Sequence, residues 1–184
     1  KFTKKIFKHK SAGYVEPARN FAIDKATGKW ILILDADEEI TADLKNRLIK
    51  IQKEDKLDFV KIPRANIIFN KHILHSGWWP DYQIRFFKKG KVKWLNQIHT
   101  QPQTSGVGEE IEIDDKLAII HHNYKTIGEY ILKMNNYTDV QAKEKVEAGK
   151  KFNLTDLLSE PFSEFTRRYF IWKGYEDGLH GLVL

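Results

Sequence analysis

The sequence predicts an α/β fold, and three neighbouring stretches carry this prediction. Residues 30–34 form a short apolar run, which is typical of a central strand buried on both faces of a sheet. A helix pattern precedes this run, with Pro17 near its start and Gly28 after its end. A second helix pattern follows it, with Thr41 as the N-cap. The apolar positions that share one face of the second helix are Leu44, Leu48 and Ile51.

Four carboxylates follow the apolar run directly. They are Asp35, Asp37, Glu38 and Glu39. Open α/β sheets bind their ligands at the carboxyl ends of strands. Asp35 and Asp37 flank one small residue, so both can reach one divalent cation, which commonly bridges protein carboxylates to phosphate oxygens. The pattern predicts a metal and diphosphate site, and the alternative is a strand that simply ends in solvent.

The middle of the chain predicts short strands around an aromatic loop. The predicted strands cover residues 59–62, 66–69, 84–87, 92–95 and 117–120. Pro63 separates the first two, and the turn at 88–91 joins the third and fourth as a hairpin. The aromatic stretch 75–83, HSGWWPDYQ, is a loop of the kind that meets ligands. The polar stretch 101–110 predicts a mobile loop.

The last third of the chain predicts helices. Thr126 and Glu129 form a capping box that opens a helix of about six turns. Pro161 stands at the predicted start of a further helix. The residues after it interleave aromatic and basic side chains, a mixture suited to lying in a membrane interface.

Composition narrows the classes of partner. The net charge of +6 indicates anionic neighbours, which are nucleotide phosphates, nucleic acid or a membrane surface. The chain has no cysteine, so any metal must be held by oxygen and imidazole ligands. No apolar run approaches the roughly 18 residues that span a bilayer.

Three segments carry a resemblance to a known family. They are EPARNFAIDKATGKWILILDADEEIT at 16–41, PDYQIRFFKKGKVKWLNQIH at 80–99 and IIHHNYKTIGEYILKMNNYT at 119–138. The first resembles glycosyltransferase family 2, the inverting, nucleotide-sugar-dependent enzymes of GT-A fold. The other two look like the branch that builds lipopolysaccharide cores and other surface glycans.

The resemblance implies a domain plan. The expected fold is a Rossmann-like mixed sheet flanked by helices, with further helices at the carboxyl end. Residues 1–125 would be a partial GT-A catalytic domain whose first βαβ part lies upstream of Lys1. Residues 126–184 would be a helical segment that acts as a peripheral membrane anchor.

The resemblance also assigns a metal site. Asp35 and Asp37 would be the DxD pair that holds Mn²⁺ or Mg²⁺ against the donor diphosphate, with Asp37 as the direct ligand. Asp35 would alternatively contact the sugar or ribose. His121 would complete the metal shell or touch the diphosphate, and the alternative is a structural histidine. His99 stands where many relatives have His-Glu, but Thr100 replaces the acid here.

Other residues are assigned to the donor and acceptor. Arg19 and Asn20 would lie near the nucleotide-sugar donor, and the alternative is a solvated helical turn. Arg85 would brace the donor phosphates. Asp81 would be the general base that takes the acceptor proton, and the alternative is a turn cap after Pro80.

The expected function is transfer of a hexose from a nucleotide sugar, expected to be a UDP-sugar, to a lipid-linked or lipopolysaccharide-core acceptor. The protein would work in the cytoplasm at the inner face of the cytoplasmic membrane, with no nucleic acid partner. Two alternatives remain open. One is a phosphohydrolase of the haloacid-dehalogenase type, although Glu39 stands where that motif has Thr or Val. The other is a basic module that binds anionic membrane or nucleic acid without catalysis.

Overall fold

The computed structural model of the chain describes residues 5–10, 16–95 and 101–184. The strands are β1 Trp30–Leu32, β2 Glu38–Ile40, β3 Phe59–Ile68, β4 Lys71–His72, β5 Asp81–Lys88, β6 Val92–Lys93, β7 Gln103–Thr104, β8 Gly108–Glu110 and β9 Ile119–Tyr124. The helices are α1 Glu16–Lys25, α2 Ala42–Glu54, α3 Ile127–Glu147, α4 Leu154–Phe165 and α5 Leu179–Val183. Short 3₁₀ turns cover Asp115–Leu117 and Gly174–Asp177, and a π-helical turn covers Thr166–Ile171.

Seven strands form one mixed sheet. Their order is β1-β5-β3-β9-β2, and β4 and β8 also pair with β3. β1 runs antiparallel to β5, whereas β8 and β9 run parallel to β3. A mixed sheet combined with helices confirms the predicted α/β class. β6 and β7 form a separate two-stranded sheet.

The chain forms two compact units that alternate along the sequence. The first unit contains Lys1–Ala36, Ile40–Pro63 and Tyr82–Ala118. The second contains Asp37–Glu39, Arg64–Asp81 and Ile119–Leu184. The expected boundary between residues 125 and 126 stays a prediction.

The first unit is built around side chains from α1, β1 and β5. Its central cluster contains Ile23, Ile31, Ile84, Phe87 and Trp94. α2 also belongs to this unit and forms as predicted, because Thr41 caps it and its apolar face is buried. The buried residues of that face are Leu44, Leu48 and Ile51.

The second unit has a smaller buried cluster and two exposed helices. Ile68, Ile73 and Tyr124 are its buried members. α3 begins at the predicted capping box, where Thr126 Oγ1 accepts a hydrogen bond from the backbone N–H of Glu129 at 3.2 Å. Neither α3 nor α4 contributes a buried residue within the described chain.

The strand pairing corrects one prediction, that of the hairpin. Among the described residues β1 pairs with β5 alone, and only Ile31 of the strand is buried. The expected central position of β1 stays a prediction. The 88–91 turn forms, with the N–H of Lys91 donating to Lys88 O. However, β5 pairs with β1 and β3, so β6 pairs with β7 instead of completing a hairpin.

Two predictions about proline are also wrong. The segments on either side of Pro63 form the single strand β3, because Pro63 lies between the β8 register, which ends at Lys61, and the β9 register, which begins at Arg64. Its missing N–H therefore falls between the β8 and β9 ladders and interrupts neither of these two. Pro161 lies inside α4 rather than at a helix start.

The predicted loop 101–110 contains the short strands β7 and β8.

Replacing Thr41 with alanine should destabilise the protein, because Thr41 Oγ1 accepts from the N–H of Leu44 at 3.0 Å and donates to Lys116 O. The expected loss in free energy of unfolding is about 1–2 kcal/mol, from the lost cap. Urea unfolding followed by circular dichroism measures it. Thr41→Ser keeps the hydroxyl and should keep most of the stability, so equal losses in the two variants would contradict the capping role.

Candidate functional site

The two acids of the Asp-x-Asp segment belong to different units and have different partners. Asp35 lies in the first unit, where it contacts two arginines. Asp37 lies in the second unit, where it contacts a histidine.

Asp35 is the anionic centre of the first cluster. Its Oδ2 accepts hydrogen bonds from Nη2 of Arg19 and from Nη2 of Arg85, each at 2.7 Å. Arg85 is only 2% exposed. Burial raises the pKa of Asp35, but the charges of Arg85 and Arg19 outweigh burial and hold this pKa below its usual value. The three groups together carry one net positive charge, which suits the binding of an anion.

Arg19 and Asn20 are both anchored by Trp94, so neither lies in a solvated helical turn. The guanidinium carbon of Arg19 lies 5.9 Å from the centre of the Trp94 ring. The side-chain amide of Asn20 donates to Trp94 O at 2.8 Å and accepts from Trp94 N at 3.1 Å. This pairing attaches α1 to the residue that follows β6, and a contact of Asn20 with a donor stays a prediction.

Asp81 is the carboxylate that anchors the second cluster. Its Oδ2 accepts from Arg64 Nε at 2.8 Å and Nη2 at 2.6 Å, and from Asn66 Nδ2 at 3.2 Å. Nη1 of Arg64 also donates to Glu38 Oε1 at 3.2 Å, and the Glu38 side chain is fully buried. Burial lowers the pKa of Arg64, but Asp81 and Glu38 outweigh it and raise this pKa above its usual value.

His121 joins the same cluster through Asn66. Its Nδ1 lies 2.7 Å from Asn66 Oδ1, and its Nε2 lies 3.5 Å from Asp37 Oδ2. The residue is 9% exposed. Burial lowers the pKa of His121, and the charge of Arg64 lowers it further, while Asp37 opposes the shift. The imidazole is therefore neutral at pH 7.

The hydrogen bonds of Asn66 determine which ring nitrogen of His121 carries the proton. The amide nitrogen of Asn66 donates to Trp78 O and to Asp81, so its Oδ1 is an acceptor. Nδ1 of His121 must donate to that oxygen, which leaves the lone pair of Nε2 directed towards Asp37. Metal-binding histidines are commonly oriented in this way by a carbonyl oxygen on the other ring nitrogen.

Asp37 and His121 thus present two electron-pair donors to each other. No group of three or more candidate ligands is found within the described residues. Mg²⁺ and similar hard cations often take only one or two protein ligands and complete their shell with water and substrate phosphates. The pair therefore fits a cation that is shared with a phosphate. His122 instead pairs with Glu39 at 3.0 Å on an exposed surface.

The sequence analysis assigned no site role to Arg64 or Asn66, and none to Glu38 beyond its place among the four acids. Arg64 and Asn66 are two residues apart on β3, so their side chains share a face of a strand that is otherwise mostly apolar. That spacing of two polar residues was the available signal. Glu38 carried no separate signal, because it was one of four candidate acids within residues 35–39. His99 and Thr100 lie outside the described residues.

The His121 ring should titrate below pH 6.5, and Asp37→Asn should lower its pKa further, since Asp37 raises it. As the pH falls, the unfolded state binds the proton at a higher pH than the folded state does. The contribution of His121 to stability is therefore complete above pH 6.5 and is lost as the pH falls below that value. NMR of the ring Cε1–H resonance against pH measures the shift. Asp156→Asn, on α4, is the control and should leave this titration unchanged. A midpoint at or above 6.5 would contradict the environment described.

The family and the relatives that this chain resembles are all described as glycosyltransferases. Residues 3–109 match the family described as glycosyl transferase family 2. An uncharacterized glycosyltransferase of Rickettsia typhi is 26% identical over 180 residues, which are 93% of this chain and 61% of the relative. A lipopolysaccharide core biosynthesis glycosyltransferase, LpsC, of Rhizobium meliloti is 24% identical over 175 residues, which are 90% of this chain and 61% of the relative.

The chain therefore spans about three fifths of the length of these curated relatives. Its mixed sheet with flanking helices is an α/β fold of the GT-A type that the resemblance implied. The family match covers more than half of the sequence. The chain belongs to glycosyltransferase family 2.

Proposed function

We propose that the protein transfers a hexose from a nucleotide sugar, expected to be a UDP-sugar, to a lipid-linked or lipopolysaccharide-core acceptor, with inversion at the anomeric carbon. Family membership supports glycosyl transfer. The name of the Rhizobium meliloti relative supports the class of acceptor. Because the chain spans only part of its relatives, this proposal concerns the activity of the whole protein.

The observation that carries the proposal is the facing pair of Asp37 Oδ2 and His121 Nε2. Asp37 and His121 would hold a divalent cation between them. An imidazole ligand suits a transition metal better than Mg²⁺, so Mn²⁺ is the preferred ion of the two. When bound, the metal neutralises charge that develops on the departing nucleoside diphosphate.

Arg19 and Arg85 would bind the donor phosphates. Both guanidinium groups are held in place by Asp35 before any substrate arrives. An arginine can bind phosphate through two parallel N–H···O bonds. The net positive charge of this cluster supports that role, and Asp35 acts as the group that orients the two arginines.

Asp81 would take the proton from the acceptor hydroxyl as that oxygen attacks the anomeric carbon. Arg64 and Asn66 fix the orientation of its carboxylate.

Near Trp78, the second unit also has a cavity with an aromatic lining. Its aromatic residues are Trp78, Tyr124, Tyr130 and Tyr137. Aromatic faces of this kind can stack on the apolar faces of sugar rings, which supports an acceptor site in this cavity.

We also propose that α4 attaches the protein to the inner face of the cytoplasmic membrane. α4 and the residue before its N-cap expose several apolar side chains, including Phe152, Leu158 and Phe162, the last of which is 74% exposed. The charges of segment 126–184 are close to balanced, so apolar insertion rather than attraction to anionic lipid would drive binding. Within the described chain, no helix has both the length and the apolar character that a bilayer crossing requires.

Release of UDP from a UDP-hexose should require Mn²⁺ and should fall about 100-fold or more in Asp37→Ala, because the leaving group loses its electrostatic stabilisation. The assay measures UDP with Mn²⁺ and with EDTA, using truncated lipooligosaccharide as the acceptor. Asp43→Asn, which removes an exposed carboxylate of α2, is the matched control. Equal rates with Mn²⁺ and with EDTA would refute the metal-assisted mechanism.

Phe162→Ser should weaken sedimentation with phosphatidylcholine vesicles by about tenfold, as expected when a buried phenyl ring is lost from the interface. Binding of the unmodified protein should persist at high salt. Ile49→Ser, on α2, removes another partly exposed apolar side chain and is the control. Loss of binding in high salt would show that charge, and not α4, provides the attachment.

A further inference from the structure

A buried carboxylate near the carboxyl end of the chain contacts the segment that precedes Asp81. Asp177 is only 3% exposed. Its Oδ2 accepts from the backbone N–H of His75 at 2.8 Å, and its Oδ1 accepts from the N–H of Leu74 at 3.4 Å. Lys71 Nζ lies 3.6 Å from Oδ1 and donates to Asp177 O at 2.8 Å. A buried charge is costly unless it is paired, so these contacts make Asp177 a fixed anchor.

Neighbouring residues of the same carboxyl-terminal segment hold the next residues of the loop. The N–H of Ser76 donates to Trp172 O at 3.0 Å, and Arg168 Nη1 donates to Ser76 O at 3.2 Å. Gly77 lies against the Trp172 ring, where an added Cβ would stand 2.7 Å from Cζ3. A larger residue at position 77 would therefore clash with this ring.

The backbone of this loop is strained. Ser76 has φ of 58° and Gly77 has φ of 79°. A non-glycine residue with positive φ persists only where its surroundings determine the conformation. Ser76 is completely buried. Trp172 O accepts its N–H, and Asp177 accepts the N–H groups of the two residues before it. The carboxyl-terminal segment thus maintains a conformation that the loop would not keep alone.

The loop ends at Asp81, and its last residues are held by β3. Asn66 Nδ2 donates both to Trp78 O and to Asp81 Oδ2. Residues 74–80 are therefore held at one end by Asp177 and at the other by Asn66. A change at either anchor is transmitted along a short stretch of chain to the Asp81 carboxylate.

We propose that Asp177 is a positioning residue for Asp81. By accepting the N–H groups of Leu74 and His75, it sets the path of the loop and so the placement of the Asp81 carboxylate against Arg64. The inference rests on the proposed function, in which Asp81 is the general base. Displacing such a group by about 1 Å can reduce the rate by about 100-fold.

The test compares Asp177→Asn with the unmodified protein and with Asp43→Asn, an exposed carboxylate of α2, as the matched control. Asparagine keeps the shape but places an N–H₂ group among the donors that the carboxylate accepts. With Mn²⁺, lipooligosaccharide and each of UDP-glucose, UDP-galactose and UDP-N-acetylglucosamine, kcat should fall by about tenfold to 100-fold. KM for the donor should stay within about twofold, because Asp177 does not contact the groups proposed to bind the donor.

Gly77→Ala is the second variant, and it keeps the Asp177 charge. Its Cβ pushes the loop away from Trp172, so it should give the same fall in kcat with an unchanged KM. Hydrogen exchange gives a readout that needs no substrate. The amides of His75, Asp81 and Tyr82 should exchange at least about tenfold faster in both variants, while those of α2 stay unchanged.

Each outcome decides the inference. An unchanged kcat in an active Asp177→Asn protein would overturn it, as would a fall in kcat that is matched by a rise in donor KM. If the unmodified protein transfers no sugar from any donor, the proposed function fails. Exchange then decides the positioning role by itself. Exchange that is unchanged, or faster at His75 alone, overturns it, and faster exchange that reaches Asp81 supports it.

Discussion

The guanidinium group of Arg64 is a largely buried positive charge, and the polar cluster of the second unit is organised around its neutralisation. It pairs with Asp81 and with the fully buried carboxylate of Glu38. Removing either acid would leave charge in a poorly solvated position, which is far more costly than losing a surface ion pair. The strand β3 therefore fixes Asp81 by an electrostatic requirement as well as by geometry.

Asn66 extends this constraint to the histidine. Its amide nitrogen faces Asp81 and Trp78 O, while its oxygen receives Nδ1 of His121. One side chain thus orients the proposed base and selects the tautomer of the proposed metal ligand. The lowered pKa of His121 has other causes, because burial of the ring and the Arg64 charge both disfavour its protonated form.

Structural features that depend on residues close together in the sequence could be predicted. Thr41 and Thr126 mark helix starts correctly because an N-cap depends on residues within one turn. The hairpin after β5 was mispredicted because its strands have other partners, and such pairing depends on residues distant in sequence. Pro63 was mistaken for a strand break because its lost N–H matters only if a neighbouring strand needs it.

The residues of the candidate site follow the same rule, since those within short motifs could be predicted and those defined by distant contacts could not. Asp35, Asp37, Asp81 and His121 were found because short motifs carry them. Arg64 and Asn66 were not found, since their importance depends on β9 and the start of β5 meeting β3. The pairing of Asp35 with Arg19 and Arg85 likewise joins segments 16 and 50 residues away in the chain.

The exposed apolar residues of α4 have a consequence for handling the protein. In water without lipid, side chains such as Leu158 and Phe162 have no hydrocarbon phase to enter. Contact between the α4 helices of different copies would then remove these side chains from water. Aggregation should increase with concentration, and a mild detergent above its critical micelle concentration should suppress it.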